Sequence, residues 1–112
     1  MVDLFAGIPV DDYAAALAWY ERLLGSPPTF LPNDVEAVWE LAEHRSLCIE
    51  QRPERAGHAM HTIIVDDFDA RLARIADRGL EPAELQTYSN GVRKAIYRDP
   101  DGNEIGFGGM PA

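Results

Sequence analysis

Three histidines, one cysteine and a surplus of carboxylates are the residues of this 112-residue chain with chemistry to offer. His58 and His61 invite a metal, but they stand three apart in what reads as a strand, where such neighbours face opposite sides and do not converge on one ion. His44, next to Arg45, reads as a solvated loop residue. Cys48 lies in the apolar stretch SLCI; a lone cysteine forms no intrachain disulfide, and a small buried thiol is its expected role. The pairs Asp11–Asp12 and Asp66–Asp67 each precede a helical pattern. That makes them N-caps, accepting from free backbone N–H groups at the positive end of a helix, rather than catalytic carboxylates. Spacing establishes no serine–histidine–aspartate triad, and the motif of a phosphate-cradling glycine loop is missing. Trp39, with Glu36, Glu40 and Glu43 around it, reads equally as a stacking platform for a ligand and as a core residue. Trp19 reads as core, and Tyr88 and Tyr97 are weaker pocket candidates.

The elements that must position these residues come in two copies. VDDYAAALAWYER, from Val10, and VDDFDARLARIAD, from Val65, share Val, Asp, Asp, Ala, Leu and Ala in register at an offset of 55. An offset near half the chain length marks a repeated supersecondary unit. Each copy opens on a strand-like run, LFAGIPV from Leu4 and HTIIV from His61. Each then passes through its Asp-Asp pair into a helix, in which Tyr13, Leu17, Tyr20 and Leu24, or Phe68, Leu72 and Ile75, recur at helical spacing. Gly25 and Gly79 suit left-handed caps at the helix ends. Strands are expected at 29–31, 36–41 and 46–50, and again at 84–88, 92–98 and 104–108. The order is βαβββ twice: an α+β fold with module one at 1–52, a polar linker at 53–57 and module two at 58–112, together one domain.

Composition narrows the partners. Hydrophobic residues make up 46% and charged residues 26%, ordinary for a folded globular chain. The net charge of −9 repels a phosphate backbone, so nucleic acid is not an expected partner; the field favours a cationic ligand, and solubility alone explains it about as well. No apolar run approaches the roughly 20 residues that span a bilayer, and the acidic start is unlike a secretory signal. No membrane partner and a cytoplasmic location are expected.

Near the end, IYRDPDGNEIGFGG reads as two strands joined by a Pro-Asp-Gly turn: Pro100 presets φ, Asp101 bonds its own backbone and Gly102 takes a positive φ. With this turn, the paired βαβββ units and the phrase VDDYAAALAWYERLLG, the chain resembles the vicinal oxygen chelate superfamily of glyoxalases, extradiol dioxygenases and bleomycin resistance proteins over essentially its whole length. The resemblance implies two modules whose sheets curl into a cup, helices outside and ligand inside, in a homodimer. Metal-using members hold a divalent ion with His or Glu from four strand positions. Those positions fall on Phe5, Glu50, Met60 and Gly106, of which only Glu50 offers an oxygen. A shift of one residue would put His61 in the place of Met60.

A hard divalent cation needs several O or N ligands, so no metal and no cofactor are expected. Strand alternation would send Phe5, Gly7, Ser46, Cys48, Glu50, Met60, Thr62, Ile64, Glu104, Gly106 and Gly108 into the cup, with Trp39 and Tyr97 as aromatic lining. The expected function is metal-independent binding and sequestration of a small hydrophobic or cationic organic molecule, of the bleomycin-resistance type. The alternatives are a metal-dependent lyase, isomerase or dioxygenase of the same superfamily, and an accessory dimeric module with a vestigial cup.

Overall fold

The computed structural model describes residues 1–111. Eleven elements follow in order: β1 (Leu4–Val10), α1 (Tyr13–Leu24), β2 (Phe30–Asn33), β3 (Glu36–Ala42), β4 (Arg45–Gln51), a 3₁₀ turn (Pro53–Arg55), β5 (Met60–Val65), α2 (Phe68–Asp77), β6 (Glu84–Thr87), β7 (Arg93–Arg98) and β8 (Glu104–Gly109). The expected βαβββ repeat is what forms, each strand within two residues of its expected limits. The strands make two four-stranded sheets of like order, β1-β4-β3-β2 and β5-β8-β7-β6. In each, the first strand pairs parallel with the last, and the two hairpins pair antiparallel.

Helix α1 starts and stops where the sequence says it should. Asp12 accepts from the Ala15 amide at 3.2 Å, the Gln51 side chain takes the Tyr13 amide at 2.9 Å, and Gly25 ends the helix at φ 80°, a conformation that costs glycine little. Helix α2 ends likewise at Gly79, φ 89°. Its start departs from expectation. Asp67 stands at the cap position but makes no side-chain cap bond, because its carboxylate is held by Arg71 at 2.9 Å and Arg74 at 2.7 Å. Arginines four and seven residues on offer charge-assisted bonds that a backbone amide does not match.

Both sheets turn one face into a common core. Ile8, Val10, Tyr20, Trp39, Leu47 and Ile49 from the first half meet Phe68, Ile75, Tyr97, Ile105 and Phe107 from the second in one buried cluster. Each such side chain taken from water contributes about 1.5–3 kcal/mol before entropy is counted.

The Asp-Pro-Asp-Gly-Asn turn is the polar joint of that core. Buried Asn103 accepts from the amides of Gly57 (3.1 Å) and Ala59 (2.9 Å) and donates to the Pro9 carbonyl and to Asp99, both at 2.8 Å. Asp99 also accepts the Tyr20 hydroxyl at 2.9 Å. Burial, and then the charge of Asp99, push the Tyr20 phenol far up. The helix ends interlock too: Arg22 donates to the carbonyls of Arg78 and Gly79, both at 3.0 Å. Arg78 returns the contact to the carbonyls of Arg22 and Leu23.

Candidate functional site

With one face of each sheet committed to the core, alternation sends the remaining side chains to the opposite, open face. On the first sheet these are Phe5, Gly7, Ser46, Cys48 and Glu50, with Glu36, Val38 and Glu40 beside them: Phe5 lies opposite Ser46, Gly7 opposite Cys48, and Val38 opposite Cys48 on the other side. On the second sheet they are Met60, Thr62, Ile64, Glu104, Gly106 and Gly108, with Lys94, Ile96 and Arg98 across the hairpin. Of the apolar residues here, Phe5 is 51% exposed, Met60 73% and Ile64 59%, whereas Val38 and Ile96 are buried. A Cβ placed on Gly7 would meet nothing within 4 Å.

Two expected lining residues belong to the other face. Trp39 is 2% exposed, packs with its ring tilted 41° to that of Tyr20 at 6.0 Å and donates its indole N–H to the Ser26 carbonyl at 3.0 Å. Of its two sequence readings, the core one holds. Tyr97 is 1% exposed and packs edge-on against Phe107 at 6.0 Å. Its hydroxyl is buried without a partner, and burial pushes the phenol up. Neither ring is available to a ligand on the open face.

The residues at the family's ligand positions do not form a metal centre. Phe5 faces Ser46, four residues along β4 from Glu50, which at 3.3 Å per residue separates them by roughly 13 Å. Met60 faces Glu104, whereas Gly106 faces Thr62. Glu50 is taken by Arg52 at 2.8 Å, which also spends the counter-charge expected for a cationic ligand. His61 falls on the core side of β5, with Nε2 3.0 Å from the Gly7 carbonyl, so the one-residue shift brings no ligand to the open face. Among the described residues no group of three or more His, Cys, Asp and Glu side chains is placed to hold an ion. A metal does not fit this donor set.

Cys48 is half-buried, 3.7 Å from a Glu36 oxygen. Burial first, then the Glu36 charge, push its thiol up to about 11, so it is a neutral thiol near pH 7 and no nucleophile. His44 sits in the β3–β4 turn at φ 63°, between Asp3 and Glu43, as expected of a loop residue.

The space at Gly106 is filled from across the hairpin. A Cβ there would come within 2.7 Å of Lys94 Cε and 3.5 Å of Thr62 Oγ1. The Lys94 stem thus lies over the glycine, an arrangement the sequence reading missed. Strand pairing places Lys94 opposite Gly108, two residues along β8 from Gly106, so its stem leans across to reach that glycine.

A hollow of about 1150 Å³ lies elsewhere, among the β3–β4 turn (Leu41, Arg45), β5 (Ile64) and the start of α2. Four of its charges are spent on each other: Arg93 forks onto Asp69 at 2.9 and 3.0 Å, and Arg71 bonds Asp67 at 2.9 Å. It is wide, and Arg45 and Asp66 in its lining have no ion-pair partner among the described residues; the open face differs in gathering the side chains that strand alternation sends to one side of both sheets.

Geometry and motif together define a class. The family model of the glyoxalase/bleomycin resistance protein/dioxygenase superfamily matches residues 3–107, and the chain belongs to that superfamily. Within it, the chain is similar to a glyoxalase/bleomycin resistance protein from Catenulispora acidiphila: 58% identity, 99% of this chain and 100% of that one covered, TM-score 0.96. A bleomycin-binding protein solved in complex with bleomycin superposes with TM-score 0.77 at 18% identity, covering 97% and 98% of the two chains. A lactoylglutathione lyase from Agrobacterium tumefaciens does so with TM-score 0.76 at 17% identity, covering 95% and 91%. These last two share the fold alone. No curated protein matches the sequence.

Proposed function

We propose that the protein binds and sequesters a small apolar organic molecule on the open face of its sheets, without a metal, as a cytoplasmic homodimer. The observation that carries this reading is the exposure of the apolar side chains Phe5, Met60 and Ile64, with open space over Gly7 beside Phe5. Exposed apolar surface next to vacant volume is what a ligand or a second chain covers. The donor set supports metal independence, since one carboxylate already paired with arginine is no cage for a hard cation. A relative of the same fold that binds bleomycin is consistent with this use of the scaffold.

The test is thermal shift and calorimetry with a panel of planar apolar compounds, bleomycin among them, on chelator-treated protein. Saturable stabilisation that chelator leaves unchanged is expected. Stabilisation that appears only with added divalent metal would contradict the reading in favour of a metal-dependent lyase, isomerase or dioxygenase. Light scattering should give twice the chain mass.

A further inference from the structure

Among the described residues, Lys94 is the cation of the second sheet's open face with no carboxylate partner, since Arg98 holds both Glu84 and Glu104. Lys94 is half-buried and, among the described residues, has no hydrogen bond and no ion pair. The other cations of the open faces are spent: Arg98 is bound to Glu84 at 2.5 Å and Glu104 at 3.2 Å, and Arg52 to Glu50 at 2.8 Å. Arg45 and Arg55, also without carboxylate partners, are exposed, where water serves them. Its stem is partly covered, and in a chain carrying 19 acids its ammonium has none of them as partner among the described residues, so it is open to an anionic group from outside the chain.

The surroundings say what that would be. Gly106 lets the Lys94 stem lie flat, with Cε within 2.7 Å of where a Cβ would stand, and the Thr62 hydroxyl lies 3.5 Å from the same point. The Lys94 stem and the Thr62 hydroxyl thus meet over Gly106, while Ile64 covers Gly108. Met60 and Ile64, 73% and 59% exposed, flank Thr62 along β5, on the same face. The carboxylate next along β8, Glu104, is occupied by Arg98.

We propose that Lys94 and Thr62 form an oxyanion subsite over Gly106, and that the bound molecule is an organic acid presenting a carboxylate there with its apolar body against Met60 and Ile64. The inference rests on the reading of the open face as the ligand face, and it reverses the preference for cations that net charge alone implies. The charged hydrogen bond from Lys94 sets the affinity and Thr62 adds a neutral one.

The experiment follows amide resonances and affinities with three probes of one shape: benzoate, benzamide and benzylammonium. Benzoate should shift the amides of Thr62, Gly106 and Gly108 and bind about tenfold or more tighter than benzamide, with benzylammonium weakest. Lys94→Met should remove the benzoate advantage and leave benzamide unchanged, and Lys94→Arg should retain much of it. Thr62→Val should cost about threefold. A melting curve for each variant separates lost binding from lost fold. If benzamide shifts these amides and benzoate binds no better, the oxyanion subsite is wrong while the apolar binding reading stands. If neither probe shifts them at tens of millimolar, or Lys94→Met leaves benzoate affinity unchanged, the subsite is overturned.

Discussion

The two modules share a strand order and a core, yet their open faces differ in charge, the first acidic and the second balanced. The first sheet carries Glu36, Glu40 and Glu50 around Cys48. The second carries Gly106 under the Lys94 stem and Gly108 under Ile64, with Arg98 paired to Glu84 and Glu104. The helix starts differ in the same spirit: Asp12 caps its helix, while Asp67 is drawn off by arginines. What the modules have in common is what the core needs, and where they differ is where the core makes no demand. Shared features should therefore be the expensive ones to remove, and divergent ones should alter binding or reactivity more than stability.

The joint between the modules should cost most. Asn103→Ala strips four hydrogen bonds from a fully buried site and should lower unfolding free energy by about 3–5 kcal/mol in denaturant titration. Tyr20→Phe keeps the ring and leaves Asp99 short of one donor, for a loss of about 1–2 kcal/mol. Comparing the caps comes next. Asp12→Ala should cost about 1 kcal/mol, and Asp67→Ala measurably less, because its partners are exposed arginines and no backbone amide is orphaned. Equal losses would mean that the two helix starts work alike.

The smallest effect concerns Cys48. Its pKa of about 11 in the folded chain lies above the ordinary thiol value, so the folded state holds the proton more tightly than the unfolded one. The associated stability is fully present below about pH 8.5 and is lost as pH rises through about 11. Alkylation by iodoacetamide at pH 8 should be slower than for a free thiol and should accelerate on unfolding. Rapid alkylation of the native protein would show that Cys48 is more open than its contact with Glu36 allows.

Which residues were legible in the sequence follows from the same physics. The repeat, the caps at Asp12, Gly25 and Gly79, and the strands announced themselves through local rules of turn chemistry and periodicity. Phe5, Gly7, Met60 and Thr62 could be assigned a face because their strands alternate or are anchored by the repeat. Trp39 and Tyr97 could not: Ala37-Val38-Trp39 and Ala95-Ile96-Tyr97 are unbroken apolar runs, buried throughout, so alternation has no phase to read. Glu50 was placed on the right face, but its partner Arg52, two residues on and therefore on the same side, was overlooked. Lys94 was hidden for a different reason. Its contact with Gly106 depends on a side chain leaning across strands, which no local pattern records.

Metal-free binding at the open face is tested most directly by mapping an aromatic probe onto the amide spectrum of chelator-treated protein. The amides of Gly7, Thr62, Gly106 and Gly108 should shift saturably, while the indole N–H of Trp39, bonded to Ser26 inside the core, stays where it is. Shifts confined to the hollow beside Asp69 and Arg93, or shifts that appear only once a divalent metal is added, would contradict it.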